Sequence, residues 1–188
     1  MQTQSRSLFW RHPWRWLGWG FVTTLLMSPL IAMQFTTEVN WTPADFVVAA
    51  ILLGGTALCI EFACHSTRNA KGRLGWALLV LTSLVLIWIN LAVGIIGHEG
   101  NPANLVYIVV LASVVIGACW VRGQPQAMAR VLWLTAALQI AVEIYFQLAA
   151  LGTAPVINVA FAFLWLLASA LLRHADSTTS SPKPTTTA

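Results

Sequence analysis

Charge is what this chain has least of. Only 9% of its 188 residues are charged, against 58% that are hydrophobic. A soluble domain of this length carries about 25% charged residues, so a globule wetted on all sides is excluded. Acids are the scarcer sign, with six Asp and Glu against ten Lys and Arg. Cysteine is also sparse. Cys59, Cys64 and Cys119 include no C-x-x-C pair, and all three map to ends of apolar stretches read below as cytoplasmic, where thiols stay reduced. No disulfide is expected. A P-loop, an H-E-x-x-H, a G-x-S-x-G and a dinucleotide fingerprint are all missing. The four histidines are too scattered to suggest a pair of haem ligands. The enzyme classes that these motifs mark have no support here, and no cofactor is implied.

What the chain has in plenty is apolar length. A hydrocarbon core about 30 Å thick takes around 20 apolar residues per helical crossing. Six stretches meet that demand: Trp16–Gln34, Ala44–Cys64, Leu74–Ile96, Ala103–Val121, Val131–Ala149 and Val156–Leu172. The expectation is an all-α membrane protein with six transmembrane helices. A signal peptide is the competing account of the first stretch, since basic residues precede it. Its apolar part is long, however, and its end, "SPLIAMQF", lacks a small-x-small cleavage site. An uncleaved first helix is therefore expected.

The placement of the few charges then sets orientation. With the amino terminus inside, Arg6, Arg11 and Arg15 are cytoplasmic, as are Arg68, Lys71 and Arg73 between the second and third stretches. Arg122, Arg130, Arg173 and Lys183 fall on the same side, while the opposite loops carry only Glu38 and Glu99, with Asp45 close by. Both termini are thus expected in the cytoplasm of a bacterial inner membrane, by the rule that cationic loops stay inside. Trp10, Trp14, Trp16, Trp19, Trp76, Trp120 and Trp133 cluster near the same boundary, where amphipathic rings settle. A net charge of +4 distributed this way speaks for orientation and anionic lipid, not for nucleic acid. The lipid bilayer is the expected partner, with room for a membrane-protein partner or a homo-oligomer. Residues 1–13 read as a basic cytoplasmic lead-in and 14–174 as the transmembrane domain. From Ala175 onward, "ADSTTSSPKPTTTA" has no sizeable apolar residue to offset ordering entropy, so 175–188 is expected to be a disordered tail.

Self-similarity suggests how the six helices are organised. The odd stretches open with "RWLGWGFV", "RLGWALLV" and "RVLWLTAA", and their Trp19, Trp76 and Trp133 lie 57 residues apart each time. The even stretches open with "TPADFVVA", "NPANLVYI" and "APVINVAF". Gln34, Asn90 and Gln147 match near the outer ends of the odd helices. Three tandem helical hairpins are expected, related by an axis along the membrane normal.

Polar residues in such a chain need individual explanations. Thr42–Pro43–Ala44–Asp45 and Asn101–Pro102–Ala103–Asn104 both read as helix starts. In each, a capping side chain is followed by proline at the first helical position, and a polar residue three places on reaches back. Ala154 breaks that pattern in the third unit, where Asn158 falls one place late. His98 and Glu99 are not explained by capping; they form either a wet turn or a proton-responsive pair, because histidine titrates near neutral pH. Glu143 is the residue to single out. It lies about 20 Å along a helix from Arg130, within hydrocarbon, where an acid must face the bundle interior and find a partner or stay protonated. Gln139 and Gln147 sit one turn either side of it on the same face. With Asn90, Asn158, His98 and Glu99 at similar depth, an outward-facing polar cluster is one reading. An interhelical hydrogen bond is the other. Cys59, Cys64, His65 and Cys119, with Glu61, share the cytoplasmic ends of two stretches. They form a weak candidate for a soft metal, since their spacing does not suit one helix face. Glu61 has Arg68 or Arg73 as a plainer partner.

The stretches "WTPADF" and "GIIGHEGNPANL", within Glu38 to Ala137, resemble a family of small uncharacterised proteobacterial inner-membrane proteins. That resemblance implies the membrane but no activity and no site residues. Three functional expectations stand, the first two being a non-catalytic accessory, sensing or structural membrane component and a small-solute or proton-coupled permease working through Glu143 and the outward-facing polar cluster. A membrane enzyme or metal protein built on the Cys/His/Glu group is the third. Only Pro29 interrupts a stretch, whereas carriers often bind substrate at helices broken in mid-membrane; this favours the first.

Overall fold

The computed structural model describes residues 13–67 and 69–175. The basic lead-in before Pro13, Arg68 and the tail after Ala175 lie outside the described residues. The described chain is all helical: α1 (Pro13–Ala32), α2 (Pro43–Ser66), α3 (Ala70–Ala92), a 3₁₀ segment (Pro102–Val106) leading into α4 (Tyr107–Val121), α5 (Pro125–Leu148) and α6 (Pro155–Arg173). Among the described residues five helices are long and apolar enough to cross a membrane: Pro43–His65, Ala70–Ala92, Pro102–Val121, Pro125–Leu148 and Pro155–Arg173. Shorter in apolar run and holding Arg15 and Pro29, α1 is not among them.

Two compact units divide the chain, Met1–Glu61 and Phe62–Ala188, and the divide falls inside α2. In the first unit, Glu61 is clasped by α1. Arg15 donates from Nε to Glu61 Oε1 and from Nη2 to Oε2, both at 2.9 Å, and Trp19 Nε1 donates to Oε1 at 3.0 Å. The guanidinium fork matches the carboxylate edge, the geometry that makes such pairs strong. This is a different partner from the Arg68 or Arg73 expected from sequence proximity. Arg73 instead donates from Nε to the Thr67 carbonyl. Elsewhere in this unit the hydroxyls of Thr23, Thr24 and Ser28 turn back onto their own helix carbonyls.

In the second unit α6 is central, packed on α3 along one side and on α5 along the other, and α4 packs on α5. Facing residues run in opposite order along each pair, so neighbours are antiparallel. Gly75 lies against Leu172, Gly117 against Val131, and Ser169 Oγ donates to the Ala129 carbonyl at 2.7 Å. Trp165, Tyr107, Phe146, Leu86, Met128, Leu132 and Leu172 fill the interior.

In the second unit α5 packs on α6, the consecutive pairing that tandem hairpins suggest, whereas α3 lies along α6. The close approach is made by glycine: a Cβ at Gly75 would stand 2.8 Å from Leu172 Cγ. The third apolar stretch also ends earlier than its hydropathy indicates. Instead of running to Ile96, α3 stops at Ala92, because Gly94 adopts φ +77° and turns the chain. That conformation suits glycine, and a Cβ there would collide with the His98 backbone. Ile95 and Ile96 are buried as loop residues, which is why they read as helix continuation. In the other direction, α5 begins at Pro125, six places before the apolar stretch at Val131.

Candidate functional site

Three of the proline-led helix starts, those at Pro43, Pro102 and Pro155, show how the chain treats an exposed helix head. At α2, Asp45 Oδ2 accepts from the Thr42 amide at 2.7 Å and from its hydroxyl at 2.8 Å, and Thr42 Oγ1 accepts from the Asp45 amide at 3.4 Å. Acid and hydroxyl thus satisfy the unpaired donors of the first turn reciprocally. At the 3₁₀ segment, Asn101 Oδ1 accepts from the Ala103 amide at 3.0 Å. Asn104 does something other than reach back to Asn101. Its Oδ1 accepts from the amides of Ile95 and Ile96, and its Nδ2 donates to the carbonyls of Ile96 and His98. Buried beneath the loop, it holds the segment from Gly94 to His98 in place and so supplies the partners that a buried loop backbone requires.

At α6 the position that caps the other two is Ala154, which has no side-chain oxygen to offer. Glu143, from α5, takes over. Its Oε2 accepts from the Ala154 amide at 3.2 Å, the bond that Asp45 makes to Thr42 within α2. The same oxygen accepts from Asn158 Nδ2 at 2.6 Å, and Oε1 accepts from Gln147 Nε2 at 2.8 Å. A carboxylate at the positive end of a helix is also favoured by the helix dipole. Hence the residue that looked degraded in sequence is replaced across the helix pair.

From Glu143 a chain of neutral groups continues inward. Asn158, fully buried, donates from Nδ2 also to Tyr107 Oη at 3.0 Å and to the Ala154 carbonyl at 3.2 Å. Its Oδ1 accepts from Gln139 Nε2 at 2.7 Å, and Gln139 Oε1 accepts a long 3.5 Å bond from Trp165 Nε1. Further along α5, Thr135 and Ser113 share a hydroxyl bond of 2.9 Å between α5 and α4. Every donor to Glu143 in this set is uncharged. The arrangement ties α4, α5 and α6 together and fixes their register, because each amide has its partner only at one sliding position.

Of the cluster expected from sequence, the structure brings together Glu143, Gln147 and Asn158. It leaves Asn90, His98 and Glu99 apart from that network. Asn90 Nδ2 donates to the Leu86 carbonyl within α3, and its buried Oδ1 has no partner. His98 and Glu99 are exposed in the loop, where His98 Nδ1 accepts from the Gly100 amide. Tyr107 and Trp165 belong to the network but were not singled out in the sequence. The signal for Trp165 was spacing: Asn158, Phe161, Ala162, Trp165, Ala168, Ser169 and Leu172 form one helical face. Tyr107 carried no such signal.

Of the cysteines, Cys59 and Cys119 are exposed and Cys64 is half-buried. Among the described residues no group of three or more His, Cys, Asp or Glu side chains is placed to hold a metal ion. Within the second unit, Cys64, His65 and Cys119 form no such group. Compared with family models, with curated proteins and with solved structures, the chain has no match.

Proposed function

We propose that this chain is a non-catalytic component of a bacterial inner membrane, with six crossings and both termini in the cytoplasm, acting as an accessory, sensing or structural element. Five apolar helices and the one-sided placement of Lys and Arg support the membrane and its orientation. The sixth crossing rests on α1, whose 20 residues reach across a bilayer core.

The observation that carries the reading is the use of Glu143. Both its oxygens are engaged by α5 and α6 themselves, and Ala154 needs that carboxylate because it cannot cap its own helix. A permease would want this acid free to exchange a ligand. The wider polar cluster on which that alternative relied also loses Asn90, His98 and Glu99.

A flux measurement decides between the two. Purified protein in vesicles, with a potassium diffusion potential imposed and an internal pH dye, is expected to pass protons no faster than empty vesicles. Glu143→Gln should behave the same. Proton entry in the parent that Glu143→Gln abolishes, with normal insertion, would establish the carrier and overturn the proposal.

A further inference from the structure

The second unit is electrically lopsided. Lys71 and Arg73 stand at the start of α3, Arg122 just after α4, Arg130 in the second turn of α5 and Arg173 at the close of α6. The antiparallel register set by Gly72 against Ala175, Gly75 against Leu172 and Ser169 against Ala129 brings all five to one end. All five are exposed, and none meets a carboxylate among the described residues. The opposite end has Glu99 and Glu143 and, among the described residues, no Lys or Arg.

Orientation in a membrane asks only that cations stay on one side. It does not ask that they be exposed, unpaired and rimmed by indoles. At the corner between α4 and α5 they are. Trp120 is 86% exposed and Trp133 55%, two and three residues from Arg122 and Arg130 respectively. Below them Ile116 and Leu134 present apolar surface. This is the vertical order of an anionic phospholipid: phosphate, then glycerol, then acyl chain. Guanidinium groups match phosphate oxygens in pairs, and indoles settle at the headgroup level.

We infer that this end of the second unit is a docking surface for anionic phospholipid headgroups, with Arg122, Arg130, Trp120 and Trp133 at its centre. The inference rests on the membrane reading above and names what the cytoplasmic leaflet supplies to it. Each cation near an anionic surface is expected to favour it by roughly five-fold, and added salt weakens that attraction.

The full chain, purified in detergent and reconstituted into nanodiscs with equimolar phosphatidylglycerol and phosphatidylcholine of identical acyl chains, is stripped gradually. Retained lipids are counted by native mass spectrometry. With two arginines at the centre, the parent is expected to keep phosphatidylglycerol over phosphatidylcholine by roughly 25-fold. Arg122→Gln with Arg130→Gln brings the ratio close to parity, Arg122→Lys with Arg130→Lys keeps most of the preference, and high salt erodes it. Should the glutamine pair lose helical content, Arg130→Gln alone and the salt series decide the question in the same way. A parent that retains both lipids equally would leave the surface to an acidic protein and overturn the lipid assignment. A glutamine pair as selective as the parent would also overturn it. Neither result touches the membrane reading, which fails separately if the chain is found in the soluble fraction of lysed cells.

Discussion

Glu61 and Glu143 are both acids within helices, and the two units treat them in opposite ways. In the first unit Glu61 lies five residues from the end of α2 and takes a full countercharge, Arg15, with Trp19 beside it. In the second Glu143 lies under the head of α6 and takes only neutral donors. Glycine is used in opposite ways as well. A Cβ at Gly54 or Gly55 meets nothing within 4 Å, whereas one at Gly117 would collide with Val131 Cγ1. Among the described residues the first unit has one charged clasp, near one end, and large apolar side chains such as Phe21 and Ile51 stay exposed. The second is joined along its length by close backbone approach and by amide bonds. Both acids lie five residues from the end of their helix, so burial rather than depth separates them: Glu143 is 4% exposed, whereas the Glu61 side chain keeps 17%. Stripping a cation of water to bring it to a buried acid costs more than serving that acid with dipoles.

The contrast predicts that the second unit fails at its hub before the first fails at its clasp. The largest loss is expected from Asn158→Leu. It strips Glu143 Oε2 of its shortest donor and leaves Gln139 Nε2 unpaired; a buried charged acceptor plus an amide should cost about 3 kcal/mol. Thermal unfolding in detergent measures it, and an unchanged midpoint would erase the distinction between the units. Next comes Gly117→Ala, at about 2 kcal/mol, because Val131 is stiff and cannot give way. Val131→Ala should recover much of that loss when combined with it, which a double-mutant cycle reads directly. The same alanine at Gly54 should cost nothing and, by helix propensity, raise the midpoint slightly.

How much of this was legible beforehand follows from which interactions are local. The helix count, the apolar character of five of those helices and the capping at Thr42 and Asp45 involve residues a few places apart, so hydropathy and spacing carried them. The end of α3 was not legible, since Ile95 and Ile96 are as apolar in a buried loop as in a helix; only Gly94 marked the turn. The polar face of Gln139, Glu143 and Gln147 could be read from its four-residue period. That Glu143 serves the start of α6 could not, because Ala154 shows only that a cap is missing. The packing of α3 on α6 was hidden by a repeat pattern that favours chain neighbours. Likewise the Arg15 partner of Glu61 is 46 residues away, while Arg68 and Arg73 were nearer in sequence.

A smaller effect sharpens the comparison at Glu143 itself. In Glu143→Gln one oxygen can still accept from Asn158 and from the Ala154 amide, but the bond from Gln147 is lost and the dipole no longer meets a charge. The expected loss is about 1 kcal/mol, well below that of Asn158→Leu. If the two variants are equally damaging, charge rather than hydrogen bonding holds α6, and the second unit would work like the first.

The smallest loss belongs to the clasp. Arg15→Gln leaves Glu61 near a helix end, with Trp19 still donating and water within reach. Of the four destabilising variants its unfolding midpoint should fall least, and the loss should shrink in high salt, as part-exposed ion pairs do. Amide exchange adds the spatial half of the test. Arg15→Gln is expected to loosen the first turns of α1 and leave the protected amides of α5 and α6 unchanged. Asn158→Leu should do the reverse. Exchange that spreads to both regions in either variant would mean that one clasp and one hub do not act separately, and that the contrast between Glu61 and Glu143 is one of geometry without energetic consequence.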